Sequence, residues 1–434
     1  MKKKKKMQEA PAPDNIIELN QEQPAPEDAP PEELPAEEKK RIRQIRRRTL
    51  AVLLLCVAVA GGIAYYFFTS SFKGYRVVSS NETSYENTAN YIQFAGNLLK
   101  YTPDGVSYIS AGGEVLWTTG INMRMPMAVS SGSYAVVADM NGNDVCIFDT
   151  KGEVSDLKLP YAICDVDVAN QGAFAVVLES DKTNYINLYN KRGENIYEMQ
   201  TTIDKSGYPL DISISDNGEK LFTSYLNVGA KGMENNLAAY NFGDVGQNSN
   251  ADRMVGGYRV EEGFVSKVQF LNNDTVVSFG TDTIGVYSMR EKPNHRATIK
   301  TGGEVRSIFY STKFFGFIRD AQSDTATDTE PESETNRYLV RAYNLKGKRI
   351  FEKYIDFAYD NVYASDKEVI ITGGNECMIL RANGSVKYEG ELDGRIVSMV
   401  PGGKANEYVV VYENKTDIIK LKRSENSEST EEKQ

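Results

Sequence analysis

Polar turns recur along this chain at a spacing near 40 residues, and this repeat constrains the fold more than any other feature. Each turn separates an apolar stretch from a second, more strongly apolar one, and the aligned turns lie at residues 95–97, 131–133, 170–172, 216–218, 272–274, 311–312, 365–366 and 401–403. Successive spacings are about 36, 39, 46, 56, 39, 54 and 36 residues. Self-similarity at such a period indicates a repeat architecture.

Within each repeat the same four strands follow one another. A strongly apolar strand comes after the turn, as in Tyr134–Ala138 and Tyr408–Tyr412, and an alternating strand with a glycine turn follows it. A fourth strand begins after that glycine, as in Glu114–Trp117. Four strands in about 40 residues are typical of one blade of a β-propeller. The sequence therefore predicts an all-β fold, a propeller of four-stranded blades over residues 75–423.

The number of blades follows from the number of repeats. Eight units can be counted, or seven if the first unit is irregular. The last unit, residues 395–422, shows only three strands, and the polar residues 424–434 are expected to form a disordered C-terminal tail. The isolated β-like stretch Tyr75–Val78 is predicted to supply the missing fourth strand. That pairing would close the ring and remove open sheet edges.

An uncharged stretch of twenty residues, Thr49–Phe68, precedes the repeats. A helix of that length spans about 30 Å, the thickness of the bilayer core. Five arginines lie between residues 41 and 48 and predict that the N-terminus is on the cytoplasmic side of the membrane. We expect a transmembrane helix over residues 49–69, an uncleaved signal anchor that contacts the lipid bilayer. Residues 1–48, rich in Pro, Glu and Lys, are expected to form a disordered cytoplasmic tail. The predicted location is the cytoplasmic membrane, single-pass, with the propeller outside.

Charge and cysteine content limit the chemistry. The net charge is −10, and because residues 1–48 hold 12 basic and 10 acidic residues, the remainder carries −12. An acidic domain gives no electrostatic footprint for nucleic acid.

No C-x-x-C pair occurs among the four cysteines, Cys56, Cys146, Cys164 and Cys377. We expect buried free thiols, with a Cys146–Cys164 bridge as the alternative. The single histidine, His295, excludes a multi-histidine metal site and is expected in a solvated turn.

One segment has the spacing of a calcium loop. Asp139, Asn141 and Asn143 follow the D-x-[DN]-x-[DN] pattern that lets alternate oxygens converge on a cation. Asp144 replaces the usual glycine, and Asn141 followed by Gly142 is also a strong hairpin signal, which is the interpretation we favour. No nucleotide-binding or nucleophile motif is present, so the sequence predicts no catalytic residue and no cofactor.

Two insertions interrupt the connection between the second and third strands of their repeats. They are residues 226–235 and residues 320–336, and the second carries six acidic residues and no basic one. In a propeller these connections emerge on the same face as the connections between blades, and long loops there usually carry function or disorder. We expect residues 320–336 to be a disordered acidic loop, and we hypothesise that this face binds the partner.

The unit Gly105–Trp117 resembles a blade of the quinoprotein-type propellers, whose third strand runs through a D-x-x-G turn into a strand that ends in tryptophan. Asp149–Gly152 and Asn190–Gly193 repeat the turn, but Trp117 is the only tryptophan, so the pattern gives no support for quinone binding. The full layout resembles an uncharacterised family of membrane-anchored, quinoprotein-like or WD-like propeller proteins from Gram-positive bacteria. The resemblance implies a location in the cell envelope and no known activity.

These observations predict a protein-interaction scaffold or recognition module of the cell envelope, with another envelope protein as its partner. One alternative is an envelope hydrolase that acts on glycan or peptide through paired carboxylates. A second alternative is a ligand-binding sensor. An acidic pair at the mouth of the central channel would favour the enzyme, whereas an exposed apolar patch would favour the scaffold.

Overall fold

The structure is a computed structural model that describes residues 36–82, 89–181, 183–202, 206–229, 232–321 and 337–423. The chain divides into two compact units, Met1–Phe68 and Thr69–Gln434. The predicted C-terminal tail, most of the acidic loop and residues 1–35 of the predicted N-terminal tail lie outside the described residues.

One helix, α1 (Ala36–Thr69), forms the described part of the first unit. It begins thirteen residues before the expected boundary at residue 49, because residues 36–48 consist almost entirely of the strong helix formers Ala, Glu, Lys, Arg and Gln. No helix within the described ranges combines the length and the apolar character needed to cross a membrane. The predicted transmembrane helix over residues 49–69 is therefore not supported.

The second unit consists of eight antiparallel four-stranded sheets within the described residues. This confirms the predicted propeller and fixes the number of blades at eight. Blade 1 is β2 (Asn90–Phe94), β3 (Asn97–Thr102), β4 (Gly105–Ile109) and β5 (Val115–Gly120). Blade 2 is β6 (Pro126–Ser131), β7 (Tyr134–Asp139), β8 (Asp144–Asp149) and β9 (Gly152–Lys158). Blade 3 is β10 (Ala162–Val168), β11 (Phe174–Ser180), β12 (Thr183–Tyr189) and β13 (Asn195–Thr201).

The remaining blades continue in chain order. Blade 4 is β14 (Tyr208–Ile214), β15 (Lys220–Gly229), β16 (Gly232–Asn241) and β17 (Met254–Arg259), with a short helix α2 (Asp244–Ser249) before its last strand. Blade 5 is β18 (Val265–Asn272), β19 (Thr275–Gly280), β20 (Thr283–Ser288) and β21 (Asn294–Lys300). Blade 6 is β22 (Val305–Tyr310), β23 (Phe314–Asp320), β24 (Tyr338–Asn344) and β25 (Arg349–Ile355). Blade 7 is β26 (Asn361–Ala364), β27 (Glu368–Gly373), β28 (Glu376–Arg381) and β29 (Val386–Glu391).

Blade 8 closes the ring by joining the two ends of the repeat region. Its strands are β30 (Ile396–Pro401), β31 (Glu407–Tyr412), β32 (Lys415–Lys422) and, as the outer strand, β1 (Gly74–Glu82). The pairing of β1 with β32 runs from Gly74 opposite Lys422 to Glu82 opposite Lys415. The prediction that the stretch beginning at Tyr75 completes the last blade is confirmed.

The core lies between blades. Second and third strands carry near-continuous apolar runs, so both faces of each sheet pack against a neighbour. Val136 and Ile147 of blade 2, for example, share one buried cluster with Val166 and Phe174 of blade 3. Burying both faces of each blade in this way gives the ring its hydrophobic stability.

The polar turns that reveal the repeat in the sequence also link neighbouring blades. Each joins the first and second strands of its blade, and hydrogen bonds that involve a side chain link several of these turns to the equivalent turn of the next blade. These bonds run from the Ser131 hydroxyl to Asn170 Oδ1 (2.6 Å), from the Asn217 amide N–H to Asn273 Oδ1 (2.7 Å) and from the Thr312 hydroxyl to Asp366 (2.8 Å). The turns therefore recur because they fasten the ring as well as reverse the chain.

Candidate functional site

The first strands of blades 3, 4 and 5 present charged side chains along the central channel. Asp165 and Asp167 lie on β10, Asp211 lies on β14 and Lys267 lies on β18. We call these four residues the channel acid cluster. Each alternates with buried apolar residues, for example Val166, because successive side chains of a strand point to opposite faces.

Blades 3 and 4 are joined by two of these carboxylates. Asp165 Oδ2 accepts the backbone N–H of Ile212 at 2.8 Å. Asp167 Oδ2 accepts the backbone N–H of Ile214 at 2.9 Å and the hydroxyl of Ser213 at 2.8 Å. The other oxygen of each carboxylate accepts the backbone N–H of the following residue at 2.9 Å. Side chains of blade 3 therefore satisfy backbone donors of blade 4.

Blades 4 and 5 are joined in the same manner. Asp211 Oδ2 accepts the backbone N–H of Val268 at 2.7 Å, and its Oδ1 accepts from the Lys267 ammonium at 2.8 Å. The hydroxyl of Ser213 accepts the backbone N–H of Phe270 at 2.9 Å. The cluster is thus a continuous ladder of hydrogen bonds across three blades.

Burial controls the ionisation of the cluster. Burial raises the pKa of Asp165 to about 6 and that of Asp211 to about 8, although the attraction of Lys267 opposes both shifts. Burial also raises the pKa of Asp167. Burial alone would lower the pKa of Lys267, but Asp211 and Asp165 outweigh it and raise that pKa. Three carboxyl groups thus share one ammonium at a site where Asp211 is buried and Asp165 and Lys267 are half-buried.

The hydrogen bonds indicate what the cluster does. All six carboxylate oxygens of the three aspartates accept at least one bond from the protein itself. This saturation suits a structural link between blades rather than an exposed acid–base pair. Sequence reasoning did not select these residues. The available signal was Asp165, Asp211 and Lys267 at equivalent places in three successive repeats, each followed by a buried apolar residue.

The residues of the calcium candidate lie in the hairpin between β7 and β8. Asp139 Oδ1 accepts the backbone N–H groups of Arg124 (2.9 Å) and Met125 (2.8 Å), and Asn143 Nδ2 donates to a backbone carbonyl at 3.1 Å. Asn141 has φ +62°, the left-handed conformation that such a turn needs. No group of three or more His, Cys, Asp or Glu suited to a metal ion occurs in the described part of the chain. Calcium binding by these residues stays the untested alternative to the hairpin turn that we favour.

The cysteines and the histidine differ in part from expectation. All four cysteines are free, so the alternative Cys146–Cys164 bridge is wrong. Cys146 and Cys377 are buried as expected, whereas Cys164 is half-buried beside the Glu179 carboxylate at 3.3 Å. His295 is exposed, but it lies in strand β21 rather than in a turn, because its repeat continues as a strand directly after Pro293.

The described residues of the first insertion, 226–229 and 232–235, are strand residues that lengthen the hairpin of blade 4. Strands β15 and β16 pair over ten positions, from Lys220 opposite Asn241 to Gly229 opposite Gly232. The equivalent strands of blade 3 pair over seven. Three further residues extend a strand by about 10 Å. We call residues 226–229 and 232–235 the long hairpin.

The end of the long hairpin exposes apolar side chains. Val228 and Met233 are directly opposite each other, and 55% and 78% of their surfaces are exposed. Cavities of about 460 and 600 Å³ flank the hairpin, and their linings include the arginine, methionine and tyrosine residues Met199, Tyr225, Met233, Tyr258 and Arg259. Aromatic residues, Met and Arg are enriched at protein interfaces.

Acidic residues surround this apolar end. Glu261 lines the smaller cavity, and the neighbouring Glu262 is exposed. Glu234 also lines it and pairs with Arg259 at 2.8 Å.

The second insertion lies in the same type of connection, because β23 ends at Asp320 and β24 begins at Tyr338. The predicted positions of both insertions, between second and third strands, are confirmed.

Comparison with known proteins identifies the family. A model of a family of unknown function (DUF5711) matches residues 68–421. The chain belongs to this family. No match was found among curated proteins.

Several solved structures are similar to this DUF5711 protein. BamB from Moraxella catarrhalis is 12% identical with a TM-score of 0.48, over 80% of this chain and 100% of BamB. The Pan2 WD40 domain from Neurospora crassa is 7% identical with a TM-score of 0.43, over 82% of this chain and 100% of the Pan2 chain. Raptor from Chaetomium thermophilum is 8% identical with a TM-score of 0.46, over 83% of this chain and 30% of the Raptor chain. At these scores the likenesses carry no functional information.

Proposed function

We propose that this protein is an interaction scaffold that binds another protein through the long hairpin of blade 4. The observation that carries the proposal is the exposed pair Val228 and Met233 at the end of a hairpin that extends beyond the equivalent strands of blade 3. Two exposed apolar side chains, paired at the end of an extended hairpin and flanked by cavities, support a binding surface at this position.

The surrounding charges define the chemistry of the partner. Glu234, Glu261 and Glu262 lie beside the apolar end, and the whole chain carries −10. A partner segment with an apolar residue flanked by Lys or Arg would pair its apolar residue with Met233 and its charges with the glutamates. Since such pairs at an interface rim act mainly on association, binding should weaken as salt concentration rises.

The location of the protein is part of the proposal. It rests on the uncharged stretch Thr49–Phe68 with its N-terminal arginines, which supports placement at the cytoplasmic membrane and an envelope partner. Cell fractionation of the full chain tests it, and recovery of the protein only in the soluble fraction would contradict it.

Site-specific photocrosslinking in cells tests the binding surface. A photoreactive residue replaces Val228 or Met233 in the full chain. Val115, on the outer strand of blade 1, serves as the matched control because its exposure of 56% is close to the 55% of Val228. We expect crosslinks from residues 228 and 233, but not 115, to one partner segment that contains an apolar residue flanked by basic ones.

A binding assay with the purified partner completes the test. We expect Met233→Glu to weaken binding by about tenfold or more, and Glu261→Lys together with Glu262→Lys to remove most of the salt dependence. Equal crosslinking from residue 115, or a surface scan that maps binding wholly to the opposite face of the propeller, would refute the proposal.

A further inference from the structure

A cavity of about 450 Å³ opens between the first strands of blades 7, 8 and 1. Its walls come from β26 and β27 of blade 7, β30 of blade 8 and β2 of blade 1. The Tyr363 hydroxyl of blade 7 donates a hydrogen bond to Gln93 Oε1 of blade 1 and so links two walls past blade 8. The volume falls within the range of about 300–1,000 Å³ that is usual for small-ligand sites.

The lining of this cavity combines apolar and uncharged polar residues. None of the described residues that line it is Asp, Glu, Lys, Arg or His. The polar groups are amides, as in Asn361 and Gln93, and hydroxyls, as in Thr372 and Ser398, and each can both donate and accept hydrogen bonds. The rings of Tyr91 and Tyr363 add flat apolar faces. This combination matches the hydroxyl groups and the apolar ring faces of a sugar.

The opposite wall of the channel adds selectivity against anions. In a ring of eight blades, blade 8 lies across from blade 4, so the cavity faces the channel acid cluster of blades 3, 4 and 5. That cluster holds three carboxyl groups and one ammonium, and its potential is negative when the carboxyl groups ionise. A phosphorylated or acidic ligand would enter this channel against electrostatic repulsion.

We propose that the cavity between blades 7, 8 and 1 is a binding site for a neutral saccharide. The site is independent of the long hairpin, which lies on blade 4, and therefore goes beyond the proposed scaffold function. Asn361 is positioned to take part, since its amide donates only a long bond of 3.4 Å to the Val397 carbonyl, which a sugar hydroxyl would replace at little cost.

Saturation-transfer NMR on the full chain tests this site. The probes are the neutral disaccharides maltose, cellobiose and N,N′-diacetylchitobiose, with glucuronate as the acidic sugar. We expect transfer to the ring protons of at least one neutral disaccharide and none to glucuronate. Transfer to glucuronate at equal strength, or to none of the neutral sugars, would overturn the proposal.

Two variants locate the binding. Ser398→Trp places a bulky side chain in the cavity, and Ser266→Trp is the matched control, a serine on the first strand of blade 5 that does not line the cavity. We expect Ser398→Trp to weaken saccharide binding by at least about tenfold and Ser266→Trp to leave it unchanged. Asn361→Ala, a milder change at a more exposed position, should weaken binding severalfold even if the tryptophan variant folds poorly. Binding that neither cavity variant alters would refute the assignment.

Discussion

Replacing Asp165 by asparagine should make the stability of the propeller less sensitive to pH. The Asp165 carboxylate links blade 3 to blade 4, and asparagine keeps its shape while removing its charge. Burial holds the pKa of Asp165 at about 6, against an ordinary value of 3.8. A carboxyl group whose pKa is raised by folding contributes stability below pH 3.8, and that contribution is lost as pH rises through about 6. The wild-type protein should therefore lose stability between pH 5 and pH 8.

The size of the effect follows from the shift in pKa. Each pKa unit corresponds to about 1.4 kcal/mol, so ionising Asp165 at pH 8 costs the folded state about 3 kcal/mol relative to the unfolded chain. Asp165 is half-buried and faces a water-accessible channel, which reduces this cost to about 1–2 kcal/mol. Asparagine also loses one acceptor, about 1 kcal/mol at either pH. Because pH 5 already lies above the ordinary pKa of 3.8, only about half of this penalty develops between pH 5 and pH 8, and the free energy of unfolding of the variant, relative to wild type, should rise by about 0.5–1 kcal/mol over that range.

Urea unfolding of the full chain at pH 5 and pH 8 measures this difference. The fluorescence of Trp117, the only tryptophan, and far-UV circular dichroism serve as probes. Asp104→Asn is the matched control, because Asp104 is exposed and lies outside the channel acid cluster. If Asp165→Asn lowers stability by the same amount at both pH values, the carboxylate is ionised without penalty and the reasoning fails.

Three further substitutions should lower the stability of the propeller, each measured by urea unfolding. Lys267→Met removes the ammonium that the three carboxyl groups of the channel acid cluster share, and should lower the free energy of unfolding by about 3–5 kcal/mol at pH 8 and by less at pH 5. An equal loss at both pH values would contradict the shared ammonium. Tyr75→Ala, on the strand that closes blade 8, should cost about 2 kcal/mol, whereas Arg76→Ala on its exposed face should change stability by less than about 0.5; similar costs would contradict a packing role for β1. Gly384→Ala should lower the free energy of unfolding by about 2–4 kcal/mol, because Gly384 has φ +84° and an added Cβ would lie 2.3 Å from a neighbouring side chain. The control Gly374→Ala, at φ +59° in open space, should lower it by only about 1 kcal/mol.

The sequence pattern was sufficient to predict the architecture because the strand pattern, the turn residues and the repeat period all indicated the same fold. Apolar strands, glycine turns and the period near 40 residues all pointed to four-stranded blades, and the three-stranded last repeat required an extra strand that only the stretch at Tyr75 could supply. In the sequence, the long hairpin was recognised only as an insertion and not as paired strands. Its sequence, rich in Asn and Gly, has weak strand propensity, and pairing with the adjoining strands overrides that propensity.

The channel acid cluster could not be selected from sequence for a different reason. The alternation of Asp165 and Asp167 with buried valines is the ordinary pattern of a strand with one polar face. The chain has 60 acidic residues, so this pattern alone does not distinguish Asp165 and Asp167 from the others. What distinguishes these carboxylates is that their partners lie 46 to 57 residues away, on the next blade. That relation depends on the register between blades, which the repeat period alone does not specify.

Packing between blades also explains why the tryptophan pattern of the quinoprotein-type propellers is absent although the fold is present. Trp117 of blade 1 stacks on Phe148 of blade 2 at 5.4 Å between ring centroids, and its indole N–H donates to a backbone carbonyl at 3.2 Å. Tyrosines on the fourth strands of blades 3 and 4 also contact an aromatic ring of the next blade, namely Tyr197 with Phe242 at 5.1 Å and Tyr258 with Tyr287 at 5.0 Å. A tyrosine ring supplies the same aromatic packing with a polar end for the surface. Blades 2 and 5 hold Ser155 and Ala297 at the register position of Trp117, so aromatic packing supports the contact between some blades, but the architecture depends neither on tryptophan nor on an aromatic ring at this position.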